Sequence, residues 1–213
     1  MSVDLYTGTP GTGKSLDVAR KIRKALRKGI DVIANFDINL DAVPFRKKGK
    51  RGNFIRVGND LTPTMLYRYA KKTMPDHLTK EGKIKEGSTL LVLDECQIMF
   101  NSRDWQNPNR REWLIFFSQH RKYGFDCILV CQMERAIDRQ IRGQVEKEYN
   151  HRKLGSFKRI GKILTLLVGG PIIVTVVYYK QSGKNVKDHA YTFVGGKADY
   201  ALYDSYKIFD DVI

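Results

Sequence analysis

The sequence has few cysteines, no internal repeats and no low-complexity tracts. Its three cysteines, Cys96, Cys127 and Cys131, form an odd set, and two of them lie in one apolar stretch. This pattern argues against a disulfide-bonded extracellular fold and predicts buried thiols in a reducing compartment. A zinc site is not indicated either, because four ligands would be needed at closer spacing. We expect one α/β domain, with at most a small appendage.

The sequence also lacks an unbroken apolar run that could span a membrane. Residues 163–179 are mostly apolar, but Gly169-Gly170-Pro171 interrupts them, and a spanning helix needs about 20 apolar residues. The β-branched residues of 172–179 favour a strand, followed by a turn at 181–185 and a return through 190–194. We expect a β-hairpin, and a transmembrane segment is the less favoured alternative. Because the N-terminus enters a strand and a glycine loop at once, no signal peptide is expected.

Acidic residues are scarce relative to basic ones. Asp and Glu number 23 against 38 Lys and Arg, which gives a formal charge of +15. This balance favours phosphate-rich partners, either nucleic acid or an anionic membrane face. Residues 16–28 predict an amphipathic helix with a very basic outer side, which is either a solvated face or a DNA- or lipid-facing surface. The basic loop 46–52 is typical of segments that follow a phosphate backbone, and Phe45 and Phe54 beside it either stack on bases or anchor the loop ends.

The most informative stretch is the glycine loop that follows the first predicted strand. It fits the pattern G-x-x-x-x-G-K-[ST], in which backbone amides surround nucleotide phosphates and the lysine reaches the β- and γ-phosphates. A strand over 2–7 and the helix over 16–28 flank it, as the motif requires. Here Lys14 is the predicted catalytic cation, and Ser15 is predicted to bind Mg²⁺. The predicted ATP-binding residues are Gly8, Thr9, Pro10, Gly11, Thr12, Gly13, Lys14, Ser15 and Leu16.

A second group of candidate residues ends two other predicted strands. The apolar run 89–93 leads into Asp94 and Glu95, a Walker B pattern in which Asp94 holds Mg²⁺ and Glu95 orients the attacking water. The apolar run 125–131 ends in Gln132, which is either a γ-phosphate sensor or a strand-end residue bonded to a loop. Because ligands bind at the carboxyl edge of an open parallel sheet, we expect these side chains to meet the glycine loop there.

The remaining segments complete an ordinary α/β pattern. We predict strands over 31–36 and 54–57, and a helix over 61–72 that is capped by Asn59 or Asp60 and has Pro63 near its first turn. Another helix is predicted over 108–123, ended by Gly124.

With these motifs in place, the chain resembles the zonula occludens toxin (Zot) family of P-loop ATPases, which includes the assembly protein of filamentous bacteriophages. The matching segments are 6–15, 91–97, 120–126, Gln132, Ile141-Arg142 and 203–206. The resemblance implies a mainly parallel sheet between helices, of the additional-strand type found in FtsK/HerA translocases. We divide the chain into an ATPase core, residues 1–150, and a β-rich extension packed on it, residues 151–213.

The resemblance also implies a function. We expect a Mg²⁺-dependent ATPase that powers assembly and extrusion of filamentous phage containing single-stranded DNA through the host membrane. It would work as a homo-oligomeric ring in the host cytoplasm, at the inner face of the cytoplasmic membrane. Family members usually continue into a transmembrane helix, whereas this sequence ends at Ile213, so we expect anchorage through a membrane-bound partner or the basic surface, or none.

Motors of this class often use an arginine from a neighbouring subunit, and the candidates are Arg103, Arg110, Arg111, Arg121 and Arg142. For each of these, a surface or structural salt bridge is the favoured interpretation.

The alternative function is a nucleotide-gated scaffold or membrane adaptor, in which ATP binding orders an assembly and hydrolysis is incidental.

Overall fold

A single eight-stranded sheet organises the computed structural model, which describes residues 1–44, 50–104, 108–153, 171–181 and 184–202. The strand order is β3-β2-β4-β5-β1-β6-β7-β8. The strands from β3 to β6 run parallel, whereas β7 pairs antiparallel with both β6 and β8. The strands are β1 (Val3–Thr7), β2 (Asp31–Ala34), β3 (Phe54–Arg56), β4 (Thr89–Leu93), β5 (Phe125–Val130), β6 (Lys147–Lys153), β7 (Ile172–Gln181) and β8 (Lys184–Val194).

Helices cover both faces of this sheet. They are α1 (Lys14–Arg27), α2 (Pro63–Thr73), α3 (Arg110–Gln119), the single turn α4 (Arg139–Arg142) and α5 (Lys197–Leu202). Short 3₁₀ turns occupy Leu40–Ala42, Met74–His77, His120–Tyr123 and Glu134–Ala136.

The two faces of the sheet carry separate hydrophobic cores because alternate strand residues point to opposite sides. On one face, Leu91 and Leu129 pack with Leu66 of α2 and Phe116 of α3. On the other face, Val92 and Ile128 pack with residues of α1 that include Ile22 and Leu26. The α1 apolar residues recur at three- and four-residue spacing, so one side of the helix is buried while its basic side faces outward.

Most of the predicted elements are confirmed, including the mainly parallel sheet between helices and the C-terminal hairpin formed by β7 and β8. Their ends differ by a few residues. The helix predicted over 108–123 is a shorter α3 followed by a 3₁₀ turn, and Gly124 ends it at a φ of 76°. The predicted cap of α2 is wrong, since Thr62 rather than Asn59 or Asp60 occupies the N-cap position and Pro63 begins the helix.

Strand β6 was not predicted, and its sequence Lys-Glu-Tyr-Asn-His-Arg-Lys explains why. It has no apolar run, yet Glu148 and His151 are buried. Glu148 accepts a hydrogen bond from Thr7 Oγ1 (2.8 Å) and pairs with Lys180 of β7. Buried polar groups are tolerated when they have such partners, and these partners lie far away in the sequence. Strand β6 includes residue 150 and pairs with β7, so one sheet contains residues on both sides of the boundary predicted at 150.

Three predicted features fall on residues outside the described ranges. They are the basic loop at 46–49 with Phe45, the apolar residues 163–170 and the segment 203–206. Among the described residues, no helix is both long enough and apolar enough to cross a bilayer. The cysteines, which are described, are all buried and free.

Candidate nucleotide site

The glycine loop between β1 and α1 has the backbone geometry of an anion-binding nest. Gly8, Gly11 and Gly13 have φ values of 143°, 74° and 92°, a region that side chains with a Cβ rarely adopt. Gly13 is the N-cap residue of α1 and offers no side chain to cap the helix. The first-turn amides of Lys14, Ser15 and Leu16 are therefore available to an anion, as helix N-termini are in phosphate sites.

Strands β6 and β7 hold the loop from one side. A Cβ on Gly8 would stand 2.6 Å from the carbonyl oxygen of His151, and one on Gly13 would stand 2.2 Å from Ile173 Cδ1. Side chains at these two positions would displace backbone or core atoms, so glycine is required for packing as well as for φ. Lys153, at the end of β6, places its Nζ 3.5 Å from the position of a Cβ on Gly11.

Lys14 is folded back over the loop. Its ammonium donates hydrogen bonds to the carbonyl oxygens of Gly8 (2.6 Å) and Thr9 (3.2 Å). Burial lowers the pKa of Lys14, whereas the nearby carboxylates of Asp94 and Glu95 oppose this shift. A cation that is partly withdrawn from water attracts an anionic ligand more strongly than a fully solvated one does.

Asp94 follows β4 directly and is 9% exposed. Asn35 follows the neighbouring strand β2, and its side chain forms two hydrogen bonds to the backbone of Asp94. The Asn35 Nδ2 donates to the Asp94 carbonyl oxygen (2.9 Å), and the Asp94 amide donates to Asn35 Oδ1 (2.7 Å). Asn35 Nδ2 also donates to Asn59 Oδ1 (2.9 Å). The Asn35 side-chain amide thus continues the ladder of hydrogen bonds between β2 and β4 beyond the strand ends. It fixes the position of the Asp94 backbone, from which the carboxylate side chain extends.

Glu95 has a strained backbone. Its φ of 45° makes it the one residue other than glycine with positive φ in the described part of the chain. Such a conformation costs roughly 1–2 kcal/mol for a residue with a Cβ. The Glu95 amide donates to Asp94 Oδ1 (2.8 Å), and Gln97 Nε2 donates to the Glu95 carboxylate. The turn therefore directs two successive carboxylates away from β4.

Gln132 lies two residues beyond the end of β5, the strand between β4 and β1 in the sheet. The Gly8 amide donates to its carbonyl oxygen (3.2 Å), so the Gln132 backbone braces the start of the loop. Its side chain is exposed. The backbone contact matches the strand-end interpretation, while the γ-phosphate role of the side chain stays a prediction.

The predicted site residues thus lie just beyond the carboxyl ends of the adjacent strands β4, β5 and β1, with Lys14, Ser15 and Leu16 in the first turn of α1. Sequence reasoning missed Asn35 and Lys153, which follow or end strands on either side of these. Asn35 carried a signal, because a polar residue directly after a buried strand is the same pattern that identified Asp94 and Gln132. Lys153 carried none, because its strand was not recognised.

A buried polar network lies beneath the loop. Asp17, one turn into α1, accepts a hydrogen bond from the hydroxyl of Tyr191 on β8. His151 Nε2 lies 3.0 Å from the same carboxylate oxygen, and the His151 ring is fully buried. The helix that begins at the loop is thereby tied to β6 and β8.

Ser15 and Asp94 are suited to a magnesium ion that accompanies a nucleotide. Mg²⁺ prefers oxygen ligands and usually binds proteins through one or two carboxylates, together with phosphates and waters. Asp94 supplies a mostly buried carboxylate, and the half-buried Ser15 supplies a hydroxyl in the first turn of α1. The donor set therefore fits the ion.

Salt bridges account for three of the arginine candidates. Arg110 pairs with Asp138 (2.9 Å), Arg121 with Glu146 (2.6 Å) and Arg142 with Glu134 (3.7 Å). Each of these three arginines therefore forms a salt bridge within the chain, as the favoured interpretation predicts. Arg103 and Arg111 have exposed side chains, and neither forms an ion pair with another described residue.

The sheet order and the loop together define a P-loop NTPase domain of the additional-strand type, in which β5 separates the Walker A and Walker B strands. The family model for zonular occludens toxin (Zot) matches residues 2–187, and the chain belongs to this family.

The chain is also similar in sequence to phage proteins. The chain is 29% identical to the Gene 1 proteins of Escherichia phage If1 and Enterobacteria phage M13, covering 99% and 98% of this chain. It spans 60% of the length of each of these relatives.

The fold resembles the N-terminal domain of zonular occludens toxin from Neisseria meningitidis, with a TM-score of 0.53 and 15% identity over 95% of this chain and 98% of that one. The genome-packaging NTPase B204 of Sulfolobus turreted icosahedral virus 2, solved with ATP-gammaS, gives a TM-score of 0.52 and 14% identity, over 88% and 97% of the two chains. A further solved ATPase domain gives a TM-score of 0.58 and 8% identity, over 94% of this chain and 84% of that one.

Proposed function

We propose that this chain is a Mg²⁺-dependent ATPase domain that powers assembly and extrusion of filamentous phage. The observation that supports it most directly is the convergence of Lys14, Asp94, Glu95 and Gln132 at one edge of three adjacent strands, linked by the Gly8–Gln132 backbone bond. Membership in the Zot family and the similarity to phage Gene 1 proteins supply the biological setting.

Each residue has a definite task in this proposal. The loop amides of residues 11–16 bind the phosphates, and Lys14 exchanges the carbonyl oxygens of Gly8 and Thr9 for the β- and γ-phosphates. Bound Mg²⁺, held by Ser15 and Asp94, would neutralise charge that develops on the phosphates. Glu95 orients the attacking water, and Gln132 contacts the γ-phosphate.

The wider setting is part of the same proposal. The domain works as a homo-oligomeric ring at the inner face of the host cytoplasmic membrane, on single-stranded DNA or its complex with phage protein. The exposed Arg103 and Arg111 are the candidates for an arginine acting on the neighbouring subunit's nucleotide.

One observation favours a second candidate function, a nucleotide-gated scaffold or membrane adaptor. The working atoms of both Lys14 and Glu95 are engaged within the protein, by the loop carbonyls and by Gln97. A domain in this arrangement has a resting state that nucleotide binding alone would change. In that case ATP orders an assembly, and hydrolysis is incidental.

The rate of Mg²⁺-ATP hydrolysis with and without single-stranded DNA separates the two candidates, with Lys14→Ala as the blank. Stimulation by DNA, abolished in the blank, supports the motor. Slow hydrolysis that DNA does not change, with subunit assembly that follows ATP binding, supports the scaffold. Hydrolysis by Lys14→Ala at the wild-type rate would contradict the site assignment itself.

A further inference from the structure

A cationic groove runs along the outer side of α1. Its volume is about 580 Å³, and its other wall is the stretch Tyr191–Phe193 of β8. Six basic side chains of the helix region line it, together with the single acid Asp17. The basic residues are Arg20, Lys21, Arg23, Lys24, Arg27 and Lys28.

The acids beside this cationic groove are already engaged. Asp17 bonds to His151 and Tyr191. Asp199 of α5 pairs with Arg23 at 2.8 Å and approaches Arg20 at 4.0 Å, and its side chain is 6% exposed. Neither carboxylate is positioned to neutralise the remaining cations. Asp4 and Asp126 line a second pocket with Lys21, Lys24 and Lys28, but they form no ion pair with these lysines.

The cations nearer the helix end are free to bind a ligand. Lys24, Arg27 and Lys28 are exposed, and no described residue forms an ion pair with their side chains. Residues 24 and 28 are one helical turn apart, about 6 Å along the axis. They therefore form a row of positive charge whose spacing suits successive anionic groups on a chain.

Two features favour a nucleic acid strand over a lipid surface as the occupant. The charges line a concave groove rather than a flat face, and α1 has no large exposed apolar side chain that could enter a bilayer. A duplex would touch only the rim of a groove of this size.

We infer that the cationic groove between α1 and β8 binds the phosphate backbone of single-stranded nucleic acid. This inference rests on the proposed function, to which it adds the surface that contacts the DNA. The groove and the phosphate loop lie at different parts of α1, because the loop precedes Lys14 whereas the free cations lie at its last turn. Their contributions can therefore be measured separately.

The test compares two double charge reversals. Lys24→Glu with Lys28→Glu alters the groove, and Lys71→Glu with Lys72→Glu alters the last turn of α2 on the opposite face of the sheet. All four lysines are exposed, and both variants lower the net charge equally. Affinity for a fluorescent oligothymidylate is measured by anisotropy without nucleotide across a salt series, and thermal unfolding by circular dichroism checks the fold.

We expect the groove variant to bind the oligonucleotide at least ~10-fold more weakly at low salt, with a salt slope reduced by about 1.4 for two lost phosphate contacts. The α2 variant should stay within about twofold of the wild type after correction for overall charge. Lys24→Arg with Lys28→Arg keeps both positive charges and should bind the oligonucleotide as the wild type does. The rate of ATP hydrolysis without DNA should be the same in all variants. If the wild type does not hydrolyse ATP at all, the proposed function is refuted, while the result on oligonucleotide binding still stands.

Equal losses in the groove and α2 variants would overturn the inference, since binding would then follow overall charge. A groove variant that keeps oligonucleotide binding but no longer binds vesicles containing phosphatidylglycerol would also overturn it, by assigning the surface to lipid.

Discussion

Asn35 fixes the backbone of Asp94 through both hydrogen-bonding atoms of its side-chain amide, at 2.9 Å and 2.7 Å. The two residues follow neighbouring parallel strands, where the regular ladder of backbone bonds ends. The carboxylate that would bind Mg²⁺ therefore depends on a side chain from a different strand. Supporting residues of this kind orient a metal ligand without binding the metal themselves.

Replacing Asn35 with alanine should impair hydrolysis without removing any predicted ligand. Two buried hydrogen bonds to the Asp94 backbone are lost, which costs roughly 1–3 kcal/mol for each group left unsatisfied. We expect kcat to fall at least ~10-fold, because small displacements of catalytic groups have large effects, and the Mg²⁺ concentration for half-maximal activity to rise.

Asn59→Ala is the matched control for this variant. It removes the bond from Asn35 Nδ2 to Asn59 Oδ1 but leaves both contacts with Asp94. Steady-state kinetics in a Mg²⁺ titration, with urea unfolding as a check on stability, compares the two. If both variants lose the same activity, Asn35 does not act by positioning Asp94.

The strained backbone of Glu95 predicts opposite changes in stability and activity. Glycine adopts a φ of 45° without a Cβ clash, so Glu95→Gly should stabilise the fold by up to about 1 kcal/mol. The same change removes the carboxylate that is proposed to orient water and should abolish hydrolysis. Strain retained at a functional position in this way is a trade of stability for activity.

Glu95→Gln separates the two effects, since it keeps the Cβ and the side-chain shape but loses the charge. We expect it to bind ATP, to hydrolyse it at least ~100-fold more slowly, and to gain no stability. Urea midpoints for the three proteins, measured beside single-turnover hydrolysis, decide the matter. Full activity in Glu95→Gly would show that another group orients the water.

Lys153 should strengthen nucleotide binding from the side of the loop formed by β6. Its Nζ lies 3.5 Å from the Cβ position of Gly11, and no described residue pairs with it. Because a hydrogen bond to a charged group contributes roughly 1.5–3 kcal/mol, Lys153→Met should weaken ATP binding by about tenfold, the lower end of that range for a partly exposed group.

The neighbouring Arg152 provides the comparison. It is exposed on the other side of the strand and donates to Asn150 Oδ1 (3.1 Å), so Arg152→Met loses the same charge away from the loop. Equilibrium titration with a fluorescent ATP analogue measures both affinities without hydrolysis. Equal dissociation constants for the two variants would remove Lys153 from the site.

Residues next to each other in the sequence made most of this site predictable. The glycine loop carries its own strand and helix, and Asp94, Glu95 and Gln132 each follow an apolar run that marks a buried strand. The sheet order then brings them together. Strand β6 was not predictable in this way, because its buried Glu148 is accommodated by Thr7 and Lys180, residues at distances of 141 and 32 positions along the chain. The contribution of Lys153 depended on that strand and was missed with it.

Asp4 predicts how the stability of the domain depends on pH. It lies in β1, and its Oδ1 is buried without a hydrogen bond from any described residue. Burial raises the pKa of Asp4 from 3.8 to about 6, although the hydrogen bond from Ser2 and the charges of Lys147 and Lys21 oppose the shift. Because the folded-state pKa is the higher one, folding favours the protonated form.

The resulting contribution to stability is fully present below the unfolded-state pKa of 3.8 and is lost as the pH rises through about 6. Asp4→Asn keeps a neutral side chain of the same shape at every pH. The difference in unfolding free energy between the variant and the wild type should therefore increase in favour of the variant, by on the order of 2 kcal/mol between pH 4 and pH 7.5.

Urea unfolding of both proteins at several pH values measures this difference directly. Asp76→Asn is the control, because it makes the same substitution at an exposed side chain. A constant difference for Asp4→Asn would mean that Asp4 is ionised in the folded protein at little cost. In that case, Lys21 and Lys147 compensate its burial, and β1 carries a stable ion cluster directly before the phosphate loop.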